Sequence, residues 1–281
     1  MALVPDLGST TARGVAIARA VGIGDIRDPL VADLLPSADR VVVQTLSRLP
    51  TERPAIGMTA HAALRMHAID RAIGHAVETL DSPTVVIVGA GWDTRAWRLE
   101  ALRDRDVVEV DLPATQRAKR ERLDRLPAPL ASVHFAAVDL GTDDLGAALD
   151  VAGQDAERPV VWVWEAVAPY LPPAAVDETL AVLARRTPAG SRLLLTTFTP
   201  ALVTPSLGPL AFAARAGLAG AGEPVLTAET DAQVTARLAR HGWIGDGGSD
   251  AGDWADVAGV QVYGPRFDEH LHVATRDGRT A

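Results

Sequence analysis

Val85-Val86-Ile87-Val88-Gly89-Ala90-Gly91-Trp92-Asp93-Thr94-Arg95 reads as an apolar strand, a glycine turn and the start of a helix that Asp93 or Thr94 can cap. Glycine at the turn lets the backbone pass close to a ligand, with no Cβ in the way. Around this stretch lie further apolar runs of strand length at Val107–Val110, Val133–Val138, Val160–Trp164 and Leu193–Phe198. Several are apolar at consecutive positions, as parallel strands covered on both faces tend to be. Between them, Thr94–Leu102, Pro113–Leu126, Thr142–Val151 and Ala174–Arg186 carry helical patterning. Alternating strand and helix predicts an α/β fold with a doubly wound, mostly parallel sheet, whose ligands bind beyond the carboxyl ends of the strands.

Upstream, residues 1–82 read as a helical cap, clearest over Gly57–Leu80, where Met58, Ala62, Leu64, Ile69, Ile73, Ala76, Val77 and Leu80 recur at helical spacing. Asp81-Ser82-Pro83 stops that helix. Downstream, residues 200–228 are rich in Ala, Gly, Leu and Pro and are expected to form a substrate lid. Residues 229–281 complete the core that begins at 83, with a helix within Thr227–His241 and a late strand within Gly264–Arg276. One domain therefore accounts for the 281 residues.

Composition narrows the function. The chain has no cysteine, which removes disulfides, thiolate catalysis and cysteine zinc sites. A net charge of −9 argues against sequence-independent binding to nucleic acid or anionic membranes. No apolar run reaches the roughly 18–20 residues that cross a bilayer, so a cytoplasmic protein is expected, and a homodimer is compatible. Lys119 is the one lysine among 27 basic residues, a bias of coding rather than a phosphate-binding signal. His270 and His272 share a strand face, yet no carboxylate spacing supports a metal site; none is expected. Trp162 and Trp164 read as sheet packing, and His134 as a packed strand residue.

Asp111 closes Val107-Val108-Glu109-Val110-Asp111-Leu112-Pro113, 22 positions after Gly89, where an acidic residue grips a ribose diol. It could equally cap the helix beginning at Pro113. A dinucleotide site wants G-x-G-x-x-G, but position 94 is Thr, and Asp93 sets a negative charge where a pyrophosphate would sit. A cationic or neutral ligand suits that turn better.

Gly89-Ala90-Gly91-Trp92-Asp93-Thr94-Arg95-Ala96-Trp97-Arg98-Leu99, followed by Glu109-Val110-Asp111-Leu112-Pro113, resembles the paired signature of leucine carboxyl methyltransferases, which include bacterial O-methyltransferases that tailor polyketides. Arg65-Met66-His67 with Ile69-Asp70, Asp139-Leu140, Glu165-Ala166-Val167, Tyr170-Leu171, and Arg19-Ala20 with Asp28-Pro29 fit in order, over about residues 9–200. The resemblance implies a class I methyltransferase, Rossmann-like, that uses S-adenosyl-L-methionine. It implies that Arg65 clamps the methionyl carboxylate, that Gly89 and Gly91 approach the methionyl portion, and that Asp111 takes the ribose hydroxyls. Asp139 would accept from the adenine amino group, Leu140 would stack on the ring, and Glu165 would lie near the methionyl ammonium.

The expected reaction is methyl esterification of a carboxylic acid on a small natural-product acceptor. Such an acid is ionised at neutral pH and needs no base. O-methylation of a phenol or enol is the alternative and would need one, for which His61, His67 and Tyr170 are the candidates. A nicotinamide-dependent oxidoreductase and a catalytically silent S-adenosylmethionine-binding protein stand as readings from other classes.

Overall fold

A computed structural model describes residues 10–50, 57–203, 224–263 and 266–278. The strands are β1 (Thr84–Val88), β2 (Asp106–Asp111), β3 (Ser132–Ala137), β4 (Val160–Trp164), β5 (Arg192–Val203), β6 (Trp243–Ser249) and β7 (Phe267–Arg276). They form one sheet in the order β3-β2-β1-β4-β5-β7-β6. Strands β1 to β5 run parallel, and β7 is antiparallel to both its neighbours.

The helices are α1 (Thr10–Val21), α2 (Val31–Leu34), α3 (Ser37–Leu46), α4 (Gly57–Thr79), α5 (Arg95–Arg98), α6 (Pro113–Arg120), α7 (Leu145–Val151), α8 (Pro173–Arg185), α9 (Asp231–Arg240) and α10 (Ala251–Ala258). Alternate strand residues divide the core in two. Val85, Ile87, Val107, Val161, Val163 and Leu194 pack with α1, α4 and α10 on one face. Val86, Val88, Val108, Trp162, Trp164 and Leu193 pack with α7, α8 and α9 on the other. Both faces of β1 and β4 are thus buried, which is why their sequences are apolar throughout. Trp162 and Trp164 are core residues, the indole N–H of Trp162 donating to Thr187 Oγ1 at 2.8 Å.

Several boundaries differ from the sequence reading. The helix expected over Thr94–Leu102 is only α5, because Leu99 turns extended and a 3₁₀ turn, Glu100–Leu102, follows. Thr94 does not cap it: its hydroxyl donates to Asp28, while Asp93 Oδ1 accepts from the Arg95 N–H at 2.7 Å. Pro113–Leu126 likewise splits into α6 and a 3₁₀ turn. His134 is exposed, not packed, since β3 is a sheet edge with one side open. Asp111 does not cap α6; its carboxylate binds backbone beside the glycine turn instead. β6 and α10 were not anticipated. Most of the expected lid, residues 204–223, lies outside the described residues.

Chain order brings β1 out beside β2, whereas β4 follows β3 in sequence and returns to the other side of β1. The crevice at that reversal, beyond the strand ends, is where such sheets bind ligands.

Candidate active site

A cavity of about 320 Å³ opens at this switch point. Its floor is the glycine turn. Gly89 has φ +73°, and a Cβ there would overlap Val167 Cγ2; Gly91 has φ +52°. The N–H groups of Gly89 and Ala90 both donate to the Val110 carbonyl, locking the turn onto β2. At the end of β2, Asp111 accepts from Gly91 N at 2.5 Å and Leu112 N at 2.6 Å. Burial pushes its carboxyl above the ordinary value against those two donors.

Asp139 and Leu140 follow β3 on the same rim. Asp139 Oδ1 accepts from Gly141 N at 2.8 Å, so the carboxylate shapes its own turn as well as bordering the cavity. After β4, Ala166 takes φ +54°, a conformation costly for a residue with a Cβ. Its N–H donates to Thr196 Oγ1 at 2.8 Å, which holds that bend and keeps Glu165 facing the cavity. Tyr170 lies in the 3₁₀ turn that follows and packs edge-on against Phe198. From the opposite side α1 covers the site with Thr11, Ala12, Val15, Ala16 and Arg19.

Beneath the cavity runs a continuous buried ion network. Arg65 Nε donates to Glu165 Oε1 at 2.8 Å, and Arg65 Nη1 to Glu269 Oε2 at 2.6 Å. Arg95 Nη2 takes the other Glu165 oxygen at 2.9 Å, with its Nη1 on Asp93 and its Nε on Asp70. Arg98 joins Asp70 to Asp28, and Arg19 closes the chain through Asp28 and the Trp92 carbonyl. Burial alone would raise the Glu165 carboxyl, but the Arg95 and Arg65 guanidiniums outweigh it and hold it well below the usual carboxylate range. Four guanidiniums face five carboxylates along this chain, leaving one negative charge in excess. Asp93 is therefore paired with Arg95 rather than presenting the bare charge expected from the sequence.

S-adenosylmethionine, with a sulfonium, an ammonium and one carboxylate, carries one net positive charge and complements that excess. Arg65, which borders the cavity, has its Nη2 buried without a hydrogen-bond partner.

All seven residues inferred to hold the cofactor border this one cavity: Arg65, Gly89, Gly91, Asp111, Asp139, Leu140 and Glu165. Of the three candidate bases only Tyr170 does so. His61 is buried against Glu269 at 2.9 Å, between Trp254 and Phe267, and burial lowers its pKa. His67 is partly exposed elsewhere on α4. Among the described residues no group of three or more His, Asp or Glu is arranged to hold a metal ion, and no helix is long and apolar enough to cross a membrane.

Arg95, Arg19, Asp28 and Glu269 carry site geometry that the sequence reading did not assign. Arg95 and Asp28 stood in recognised motifs, but Arg65 and Glu269 are separated by 204 positions, and nothing local marks such a partner.

A solved DUF574 family protein from Streptomyces avermitilis shares the fold, with TM-score 0.61 and 17% identity over 97% of this chain and 99% of that one. A methyltransferase structure from Thermobifida fusca superposes with TM-score 0.59 and 18% identity, over 96% and 95%. In sequence, a protein of Mycolicibacterium paratuberculosis named for S-adenosyl-L-methionine-dependent methyltransferase activity is 34% identical over 256 residues, 85% of this chain and 80% of that one. One of the same name from Mycobacteroides abscessus is 39% identical over 142 residues, half of this chain and 45% of its own length. The leucine carboxyl methyltransferase family model matches residues 6–184, the span that supplies α1, α4, the glycine turn and the ends of β2, β3 and β4. The chain belongs to the leucine carboxyl methyltransferase family and is an S-adenosyl-L-methionine-dependent methyltransferase.

Proposed function

We propose that this enzyme methylates the carboxylate oxygen of a small, largely apolar natural-product acid of polyketide type. The observation that carries the proposal is a second guanidinium at the cavity. Arg19 borders it from α1, its guanidinium held at Nη2 by Asp28 and the Trp92 carbonyl. One cofactor carboxylate uses Arg65; Arg19 is then the anchor for an anionic acceptor. Ala12, Val15, Ala16, Val167 and Leu171 give the same cavity an apolar wall suited to a hydrophobic acceptor body.

Bound S-adenosylmethionine supplies an electrophilic methyl group on a positive sulfur. Under this reading Asp111 receives the ribose hydroxyls, Asp139 the adenine amino group and Glu165 the methionyl ammonium, while Leu140 lies against the ring. Gly89 and Gly91 bring backbone against the methionyl chain. The protein's task is to hold the acceptor oxygen in line with the methyl group and to keep water out. A carboxylate of pKa about 4 arrives already ionised, so no side chain has to remove a proton.

Incubation with labelled cofactor and a panel of aromatic and aliphatic acids, beside matched phenols, tests the proposal. Transfer to the acids, giving products that mild alkali cleaves, is the expected result. An alkali-stable ether, with a rate that collapses in Tyr170→Phe, would overturn it in favour of a phenol or enol acceptor.

A further inference from the structure

Arg65 is gripped at two of its three nitrogens, and one grip comes from the far end of the chain. Glu269, on β7, is completely buried and accepts from Arg65 Nη1 at 2.6 Å and shares its Oε2 with His61 Nε2 at 2.9 Å. Glu165 takes Nε from the opposite side at 2.8 Å. The guanidinium plane is thereby fixed by two carboxylates, on β7 and just after β4, leaving Nη2 without a protein partner on a side chain that borders the cavity. Glu165 in turn sits just before the bent Ala166, whose N–H donates to Thr196 Oγ1 at 2.8 Å. Arg65 on α4 is thus the joint between the turn that carries Glu165 and the buried carboxylate on β7. Although burial pushes the Glu269 carboxyl upward, the Arg65 guanidinium and His61 hold it below its ordinary value, so it stays charged.

We infer that Glu269, backed by His61, is a positioning residue for the methionyl end of the cofactor: it sets Arg65 so that Nη2 meets the amino-acid carboxylate. This rests on the reading of Arg65 as the carboxylate clamp. Glu269 lies outside the span that matches the family, residues 6–184, so the role is assigned by this structure and not by the motif.

Two ligands separate positioning from general support. S-adenosylhomocysteine has the amino-acid tail, and 5′-methylthioadenosine is the same nucleoside thioether without it. In calorimetry, Glu269→Gln, which keeps shape and removes charge, should weaken S-adenosylhomocysteine about tenfold and leave 5′-methylthioadenosine within about twofold. Glu269→Asp keeps the charge and withdraws it by one methylene from Arg65; the same selective loss is expected, and it carries the test if the Gln variant does not fold. Equal weakening of both ligands, or weakening of neither, overturns the inference. Arg65→Gln isolates the underlying reading. If it leaves S-adenosylhomocysteine affinity unchanged, the clamp assignment itself fails. If it causes the selective loss while the Glu269 variants do not, only the positioning role fails.

Discussion

At Gly89 two demands meet: a left-handed φ of +73° and a Cβ position already occupied by Val167. Gly89→Ala therefore incurs backbone strain and forced displacement of a cavity-wall side chain, about 1–3 kcal/mol or more together. Chemical denaturation should show that loss, with cofactor affinity falling as well; a variant of unchanged midpoint would mean the turn yields easily. Asp111 makes a different prediction. Its oxygens hold Gly91 N and Leu112 N, so Asp111→Ala removes the brace of the turn and, under the proposed reading, a contact to the ribose. Cofactor binding should weaken by roughly 1.5–3 kcal/mol, and calorimetry returning wild-type affinity would remove Asp111 from the site. Both residues were legible in the sequence, because a glycine turn after an apolar strand and an acid at the end of the next strand are local patterns. Glu269 was not. In Asp268-Glu269-His270-Leu271-His272 it looks like one polar position of a strand, and only the fold brings it to Arg65.

Between elements, the tie that matters most runs from α6 to β2. Lys119 is buried, its ammonium on Glu109 Oε2 at 2.5 Å and on the Asp93 carbonyl at 2.6 Å, above the Trp97 ring. It thus links the strand that ends in Asp111 to the turn that begins at Gly89. Burial, against the pull of Lys119, raises the Glu109 carboxyl to about 7. Lys119→Met strands that carboxylate, at about 3–5 kcal/mol when it is ionised. The deficit should be largest near pH 8 and shrink near pH 5, where Glu109 accepts a proton. Adding Glu109→Gln should recover much of the loss, and urea titrations of the single and double variants at both pH values check this. Additive losses in the double variant would show that the pair is not coupled. The strands flanking this tie were readable as consecutive apolar runs, but β6 was not. Its Gly245-Asp246-Gly247-Gly248 spells a turn, and it becomes a strand only by pairing antiparallel with β7 across a register shift. The brevity of α5 was equally hidden, since the backbone turns extended at Leu99 with no glycine or proline there to announce it.

Across the whole molecule the buried titratable groups pull stability in opposing directions with pH. Burial lowers the pKa of His272 to about 4, with Asp231 opposing and His270 assisting; it also lowers that of His61, and of the partly exposed His67. The unfolded chain takes up protons at these histidines near pH 6.5 while the folded chain does not. Their stabilisation is present above about pH 6.5 and is lost as pH falls below it, for His272 on the way to about 4. Asp93, Glu165 and Glu269 are held below the ordinary range by guanidiniums, so they sustain the fold above about pH 4 and give way below it. Glu109 acts with the opposite sign: its folded pKa is raised, so its contribution is present at acid pH and is lost as pH rises from about 4.5 to 7. Asp111, likewise raised by burial, acts in the same direction as Glu109; the three lowered histidines, His61, His67 and His272, titrate against these two acids and set the sign just below pH 6.5. The urea midpoint should therefore climb from pH 5 to 6.5, at about 1.4 kcal/mol per pH unit for each net proton excluded. His272→Gln keeps a polar partner for Thr197, which contacts His272 Nε2 at 3.0 Å, and withdraws one titrating site, so its slope should be visibly shallower. Because these groups are buried, added salt should leave the slope nearly unchanged, unlike that of surface pairs. A midpoint flat across that window, or an undiminished slope in His272→Gln, would show that the histidines titrate alike in the folded and unfolded chains.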